Sequence, residues 1–542
     1  MNKKFLKITS LFLSTLIVST SFVACGSTKA DTSKKETTQT SAPAENNKYP
    51  IKTDVTLKYW VELNANIAQV AKNFSDTELA KEYEKRTGIK VEYIHPAVGQ
   101  TKEAFNIMVA SGDYPDIIEY TWTSYPGGAN AAIKNNVIRK LNDTIDKSAP
   151  NLKKLLKDHP NVDKMVKTDE GSYYVFPFLR GYDLANNSMV TSSGFVLRND
   201  WLKELNLTVP ETADEYYNVL KTFKEKKNAT IPFTTRQDWF SDALSPAFDN
   251  IQNFYVEDGK VKYGATEQSR KDYLTAMNKW YKEGLIDKNF ITADTKVVDS
   301  NMLNGKSGVA YTTGGSGMGT WLQSMASKDP KFDLIAAPPI TSKRGQNAKF
   351  SKMNNIYDAS GSSAAISATS KNADIAAKLL DYNYSDEGHM LFNFGIEGTS
   401  YTMENGNPKY TDTIMKNPKG LSITAAMSMY IRGHISGPFV QDEREGEQYY
   451  QLPQQKEALK QWTKSDMGKY MVPAISPTET ESADEAKMMT DITTYVTEMN
   501  TKFILGTESM DKFDSYVENV KKLGIDQVLK HKQDELDRYN KR

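Results

Sequence analysis

The chain has 542 residues, with 68 Lys+Arg against 68 Asp+Glu and a formal net charge of zero. That balance excludes the basic footprint a nucleic-acid binder needs. A 39% hydrophobic content excludes a wholly disordered polymer, and a single cysteine excludes an internal disulfide.

The N-terminus reads as an export signal. Asn2-Lys3-Lys4 and Lys7 form a basic start, and an apolar stretch follows from Ile8 through Leu11, Phe12, Leu13, Leu16, Ile17 and Val18. It is shorter than the ~20 apolar residues of a membrane span. A small residue, Ala24, stands at its exit, so residues 1–24 are predicted to be a signal peptide. The exit, Phe22-Val23-Ala24-Cys25-Gly26, resembles a bacterial lipobox, with Phe22 where Leu is commoner. The resemblance implies cleavage before Cys25 and its diacylation. Acyl chains contribute ~0.8 kcal/mol per buried CH2, so two or three hold a protein at a membrane surface. Gly26 to Lys48 has no large apolar residue, and residues 25–48 are predicted to be the lipidated cysteine and a flexible tether.

The folded part opens with alternation in Val55-Thr-Leu-Lys-Tyr-Trp-Val61, a strand pattern with Val55, Leu57, Tyr59 and Val61 on one face. Ser75 or Asp76 is expected to cap a helix carrying Leu79, Ala80 and Tyr83, ended by Gly88. Strand 89–94, helix 101–110 and strand 116–120 follow, and this alternation predicts crossover units and a parallel sheet. The pattern restarts with helices at 201–205 and after Pro210, and strands at 308–311 and 332–336. Strand 363–367 and helix 373–383 come next. From Ala483 onward the chain reads as helical, broken at Gly506 and Gly524.

Four stretches together resemble the family 1 extracellular solute-binding proteins of ABC sugar importers, in their lipoprotein branch. They are Gly88-Ile-Lys-Val-Glu-Tyr with Ala110-Ser-Gly-Asp-Tyr-Pro-Asp-Ile-Ile118; Leu197-Arg-Asn-Asp-Trp-Leu-Lys-Glu-Leu205 running into Val209-Pro-Glu-Thr-Ala-Asp-Glu-Tyr216; Asn393-Phe-Gly-Ile-Glu-Gly398; and Phe503-Ile-Leu-Gly506 with Lys522-Leu-Gly-Ile525. They span almost the whole mature chain. The resemblance implies an α/β, two-lobed periplasmic-binding-protein-like fold with hinge crossings and extra C-terminal helices. Mapped here, lobe one takes 50–185 and 363–435, and lobe two takes 186–362 and 436–542. It also implies a monomer on the outer face of the cell membrane, held by its lipid anchor only. An oligosaccharide would be captured in the cleft and passed to ABC permease subunits with a cytoplasmic ATPase. Some members carry an Asp/Asn-rich calcium loop after the helix that follows the Asp-Trp-Leu segment. Here Phe223-Lys-Glu-Lys-Lys-Asn-Ala-Thr-Ile231 has lysines instead, while calcium takes six or more oxygens. No metal and no cofactor are predicted.

Sugars offer hydroxyls and an apolar C–H face, so the candidates are aromatic and hydrogen-bonding residues just beyond strand ends. After the first strand these are Trp60, Glu62 and Asn64; after the third, Tyr120 and Trp122. Arg180 lies near the first expected crossing. Asp238 and Trp239 occupy a polar loop of the second half, and Gly315 belongs to the turn Gly314-Gly-Ser-Gly317. Asn355, Tyr357, Glu397 and Arg432 complete the set.

The alternative is a secreted carbohydrate-active enzyme, which needs two positioned carboxylates. No His-Glu-x-x-His, Gly-x-Ser-x-Gly or P-loop occurs. The five histidines (His95, His159, His389, His434, His531) are scattered. No catalytic residue is assigned.

Overall fold

The computed structural model describes residues 47–357, 362–432 and 436–542. Cys25, the export signal and nearly all of the tether lie outside the described residues. The strands are β1 (Thr56–Trp60), β2 (Lys90–Ile94), β3 (Ile117–Tyr120), β4 (Ser193–Arg198), β5 (Phe233–Thr235) and β6 (Phe254–Glu257). They continue with β7 (Lys260–Tyr263), β8 (Val309–Thr313), β9 (Leu334–Ala336), β10 (Ser363–Ile366), β11 (Tyr401–Glu404) and β12 (Asn407–Tyr410).

The first sheet has the order β10-β3-β1-β2. β1 runs parallel to β2 and β3, as the strand–helix alternation predicts, whereas β10 is antiparallel to β3. The helix Glu78–Thr87 connects β1 to β2. Its N-cap is Thr77, whose hydroxyl accepts from the Ala80 N–H, rather than Ser75 or Asp76. Asn73 and Asp76 instead cap a separate 3-10 turn. The helix ends at Gly88, at φ +73°, where a Cβ would stand 2.4 Å from the Ile51 carbonyl oxygen, so only glycine fits.

The second sheet has the order β5-β8-β4-β9. β5 and β8 are parallel, but β4 is antiparallel to both its neighbours. Every residue of β4 is buried, so it carries no alternation that a sequence reading detects. Two hairpins, β6–β7 and β11–β12, stand apart from the main sheets.

Two large cores follow the two sheets. The first gathers Leu57, Ile117, Ile118, Phe176, Ala365 and Phe439; the second gathers Phe195, Tyr216, Tyr273, Val309, Val496 and Phe503. The long helix Glu479–Leu505 and the last helix, Ile525–Asn540, pack in the second core through Ile492, Val496 and Val528. Among the described residues, no helix is long and apolar enough to cross a membrane.

Candidate ligand-binding site

The chain passes between the sheets along segments that begin and end at one particular edge of each. Ser363 opens β10 opposite Tyr120, the last residue of β3. The Phe178 N–H donates to Ser363 Oγ at 3.0 Å, which starts the first crossing at that same edge. The crossing ends at Ser193, opposite Thr313, the last residue of β8. The crossings also bind one another: Arg180 N–H donates to the Ile356 carbonyl at 3.0 Å, Asn354 N–H to Val190 at 2.8 Å, and Gln441 N–H to Leu179 at 2.8 Å. The carboxyl ends of β3 and β8 therefore lie at the two ends of a hydrogen-bonded set of crossings. Ligands of open α/β sheets sit beyond such ends.

On the first-sheet side, the loop after β1 is pinned by His95. Its Nε2 accepts from the Phe74 N–H at 3.1 Å, so its Nδ1–H donates to the Val61 carbonyl at 2.8 Å. Burial lowers the His95 pKa, in keeping with this neutral tautomer. Glu62 on this loop is exposed, and Asn64 turns its Oδ1 to the Asn66 and Ile67 N–H groups. Tyr120 is half-buried and stacks flat on Phe105, with centroids 3.6 Å apart.

Four of the expected contact residues are buried in this structure. Trp60 is 5% exposed and lies against Phe105 and Tyr120, because the helix Thr101–Ser111 covers the sheet face that the alternation leaves open. Trp122 is 1% exposed and donates its indole N–H to the Ser363 carbonyl at 3.2 Å. Tyr357 is buried with its hydroxyl 2.8 Å from that of Tyr174. Arg432 is buried in an ion pair with Glu119. All four have internal partners. Glu397 is exposed in the turn before β11.

At the crossings, Arg180 is buried with its guanidinium 5.1 Å from the Phe178 ring centre. Asn355 is buried too, its Oδ1 accepting from the Ile356 N–H at 2.8 Å. A chamber of ≈ 500 Å³ is lined by Tyr182, Asp183, Asn187, His389, Asp442 and Glu443 among others. Burial opposes ionisation of Asp442. The hydrogen bonds from His389, at 2.9 Å, and Arg444 outweigh it and hold the carboxyl well below its usual range.

On the second-sheet side, Asp238 pairs with Arg236 at 2.6 Å. Trp239 is half-buried, edge-on to Tyr311, with the Arg236 guanidinium 4.5 Å and the Lys352 ammonium 5.5 Å from its ring centre. Lys352, from the crossing after β9, also reaches Asp242 at 3.2 Å. Gly315 lies in a π-helical turn, Gly314–Gly319, whose Gly317 N–H is taken by Thr313 Oγ1 at 3.1 Å. A Cβ on Gly315 would stand 2.6 Å from the Tyr449 hydroxyl.

Half-buried aromatics thus approach the crossings from both sheets, among ion-paired carboxylates and cations. Such a mixture suits a solute with hydroxyls and C–H faces. The sequence comparison decides the family: the model of the bacterial extracellular solute-binding proteins matches residues 71–390, more than half of the chain. The chain belongs to this family. Among curated relatives, this solute-binding protein is similar to the fructooligosaccharide ABC transporter substrate-binding protein FusA of Streptococcus pneumoniae serotype 4. The two are 24% identical over 91% of this chain and 92% of FusA. It is also similar to lipoprotein LipO of Bacillus subtilis, 26% identical over 83% of this chain and 87% of LipO. Among solved structures it resembles the alginate-binding protein AlgQ2 without calcium ion, with TM-score 0.68, 29% identity, and coverage of 89% of this chain and 98% of that one. The fold is the two-lobed α/β arrangement of these solute-binding proteins.

Lys352, Tyr449 and Tyr450 stand beside candidate residues, at Trp239 and the glycine turn, and the sequence reading did not single them out. Tyr450 stands 3.1 Å from the Cβ position of Gly314, as Tyr449 does beside Gly315. The tandem tyrosine was the available signal, but only the fold sets it against the glycine turn.

Proposed function

We propose that the chain captures an oligosaccharide between its two lobes and hands it to ABC permease subunits served by a cytoplasmic ATPase. In this reading residues 50–185 and 363–435 form one lobe, and 186–362 and 436–542 the other. The protein works as a monomer on the outer face of the cell membrane, held by acyl chains on Cys25 after removal of residues 1–24. The observation that carries the reading is the convergence of the β3 and β8 carboxyl ends on mutually hydrogen-bonded crossings. Tyr120 approaches from one side and Trp239 and Tyr449 from the other. Glu62, Asn64, Arg180, Asp238, Asn355 and the Gly315 turn supply the polar contacts. FusA's fructooligosaccharide and AlgQ2's alginate support a glycan as the ligand. Ligand contacts with both lobes favour the closed form to the extent that they are stronger there.

The test is titration calorimetry with fructooligosaccharides and alginate oligosaccharides, paired with solution scattering and product analysis. One-to-one binding with a smaller radius of gyration and no product is expected. Turnover of any glycan, or silence toward all of them with unchanged scattering, overturns the reading.

A further inference from the structure

A second polar chamber, of ≈ 370 Å³, lies in the second half beside the Trp239 turn, sharing Gln237 and Asp238 with it. Its wall contains Arg270, on the helix Gln268–Lys282, which is 1% exposed. The acceptors of this guanidinium are all neutral. Nη1 donates to Ser241 Oγ at 2.9 Å and Asn250 Oδ1 at 3.4 Å, and Nη2 donates to Gln252 Oε1 at 2.7 Å. Among the described residues, Nε has no acceptor. Arginine stays charged in proteins, and a buried charge costs stability unless an opposite charge compensates it. Burial is also what lowers the Arg270 pKa.

The wall's two carboxylates make their direct pairs elsewhere, Asp238 with Arg236 and Asp242 with Lys352, and Asp242 acts on Arg270 only through space. Tyr273, which stacks under the guanidinium at 4.6 Å, and Asn500 also line the chamber. Asn500 Oδ1 has no partner among the described residues. The wall therefore carries a guanidinium that touches no carboxylate directly, beside a space large enough for a small solute.

We propose that this chamber binds a carboxylate, carried by an acidic sugar residue or presented by a free small acid, with Arg270 as its counter-ion. An acidic sugar here deepens the oligosaccharide reading, whereas the anion site itself does not depend on it.

The test uses the purified protein with D-galacturonate, D-galactose and acetate as probes in titration calorimetry. A charge-assisted hydrogen bond is worth enough that galacturonate should bind about tenfold or more tighter than galactose. Arg270→Met should abolish the difference. Because that variant disturbs a buried residue, Thr501→Trp serves as the second. Thr501 lines the chamber from the long helix, so an indole there fills the space from a partly exposed position. Thr501→Trp should lose galacturonate while keeping any neutral oligosaccharide that the cleft binds, which separates failure of this site from failure of the cleft reading. Acetate binding as tightly as galacturonate identifies a free carboxylate as sufficient, and weaker acetate binding identifies a sugar acid. Equal binding of galactose and galacturonate, absence of binding by both acids, or undiminished galacturonate binding in Thr501→Trp overturns the proposal.

Discussion

The Arg432 guanidinium donates to both oxygens of Glu119, at 2.5 and 2.7 Å, and both side chains are buried. The Tyr59 hydroxyl donates to the same carboxylate at 2.8 Å. Removing one partner strands the other charge, so Arg432→Leu or Glu119→Leu should each cost ~3–5 kcal/mol. The double variant, with no charge left to strand, should cost less than either. Urea unfolding of the three proteins measures this, and a double variant as unstable as the sum of the singles would sink the argument.

The tryptophans separate into two classes. Trp122→Ala empties a filled interior site and should destabilise the fold by ~3–5 kcal/mol. Trp239→Ala removes a half-buried ring beside the crossings. It should leave the unfolding midpoint close to wild type and weaken oligosaccharide binding by ~1–3 kcal/mol. Calorimetric titration beside urea melts distinguishes them; unaltered affinity in Trp239→Ala removes that ring from the binding wall.

These contrasts mark what the sequence makes legible. The run from β1 through Gly88 to β3 reads directly, because alternation and a stop glycine are local signals, although the cap falls on Thr77 and not on Ser75 or Asp76. β4 does not, since a strand buried on both faces loses its period of two. The burial of Trp60 is hidden for a related reason: alternation assigns it to the face opposite the core, but Phe105 and the helix Thr101–Ser111 cover that face as well. The Glu119–Arg432 pair joins residues 313 positions apart, which no spacing rule reaches. Of the candidate site, the loops after strand ends were legible as places. Which of their side chains turn inward depends on what the other elements pack against them.

Stability should depend on pH through Asp381. Burial pushes its carboxyl up to about 7, although the Leu152 N–H and the Asn47 and Asn151 amides donate to it. The unfolded carboxyl titrates near 4, so between about pH 4 and 7 the folded state binds the extra proton. The contribution is fully present below the unfolded pKa and is lost as pH rises through the folded one, at about 1.4 kcal/mol per unit of separation. The stability of wild type relative to Asp381→Asn should therefore fall from pH 4 to 8. Urea melts across that range measure it, and a flat difference refutes the assignment.

The last helix is tied to the first half of the molecule at Asp169. Its carboxylate accepts from Arg538 Nε at 2.9 Å and from Arg542 at 2.6 Å, and the Arg542 side chain is 1% exposed. Arg542 Nη1 also donates to the Ala474 carbonyl at 3.2 Å, and Arg538 pairs with Glu481 at 2.6 Å. The same helix reaches the second core through Ile525 and Val528, so this cluster restrains one half against the other away from the crossings. Asp169→Ala leaves the buried Arg542 guanidinium without its carboxylate, while Arg538 keeps Glu481, and should cost ~1–3 kcal/mol. With the restraint gone, amide exchange in the helix Ile525–Asn540 should speed up and the ligand-free radius of gyration should grow. Ligand binding should weaken as well, because a smaller share of the free protein then occupies the closed form. Exchange rates, scattering and affinity all matching wild type would show that the cluster restrains nothing.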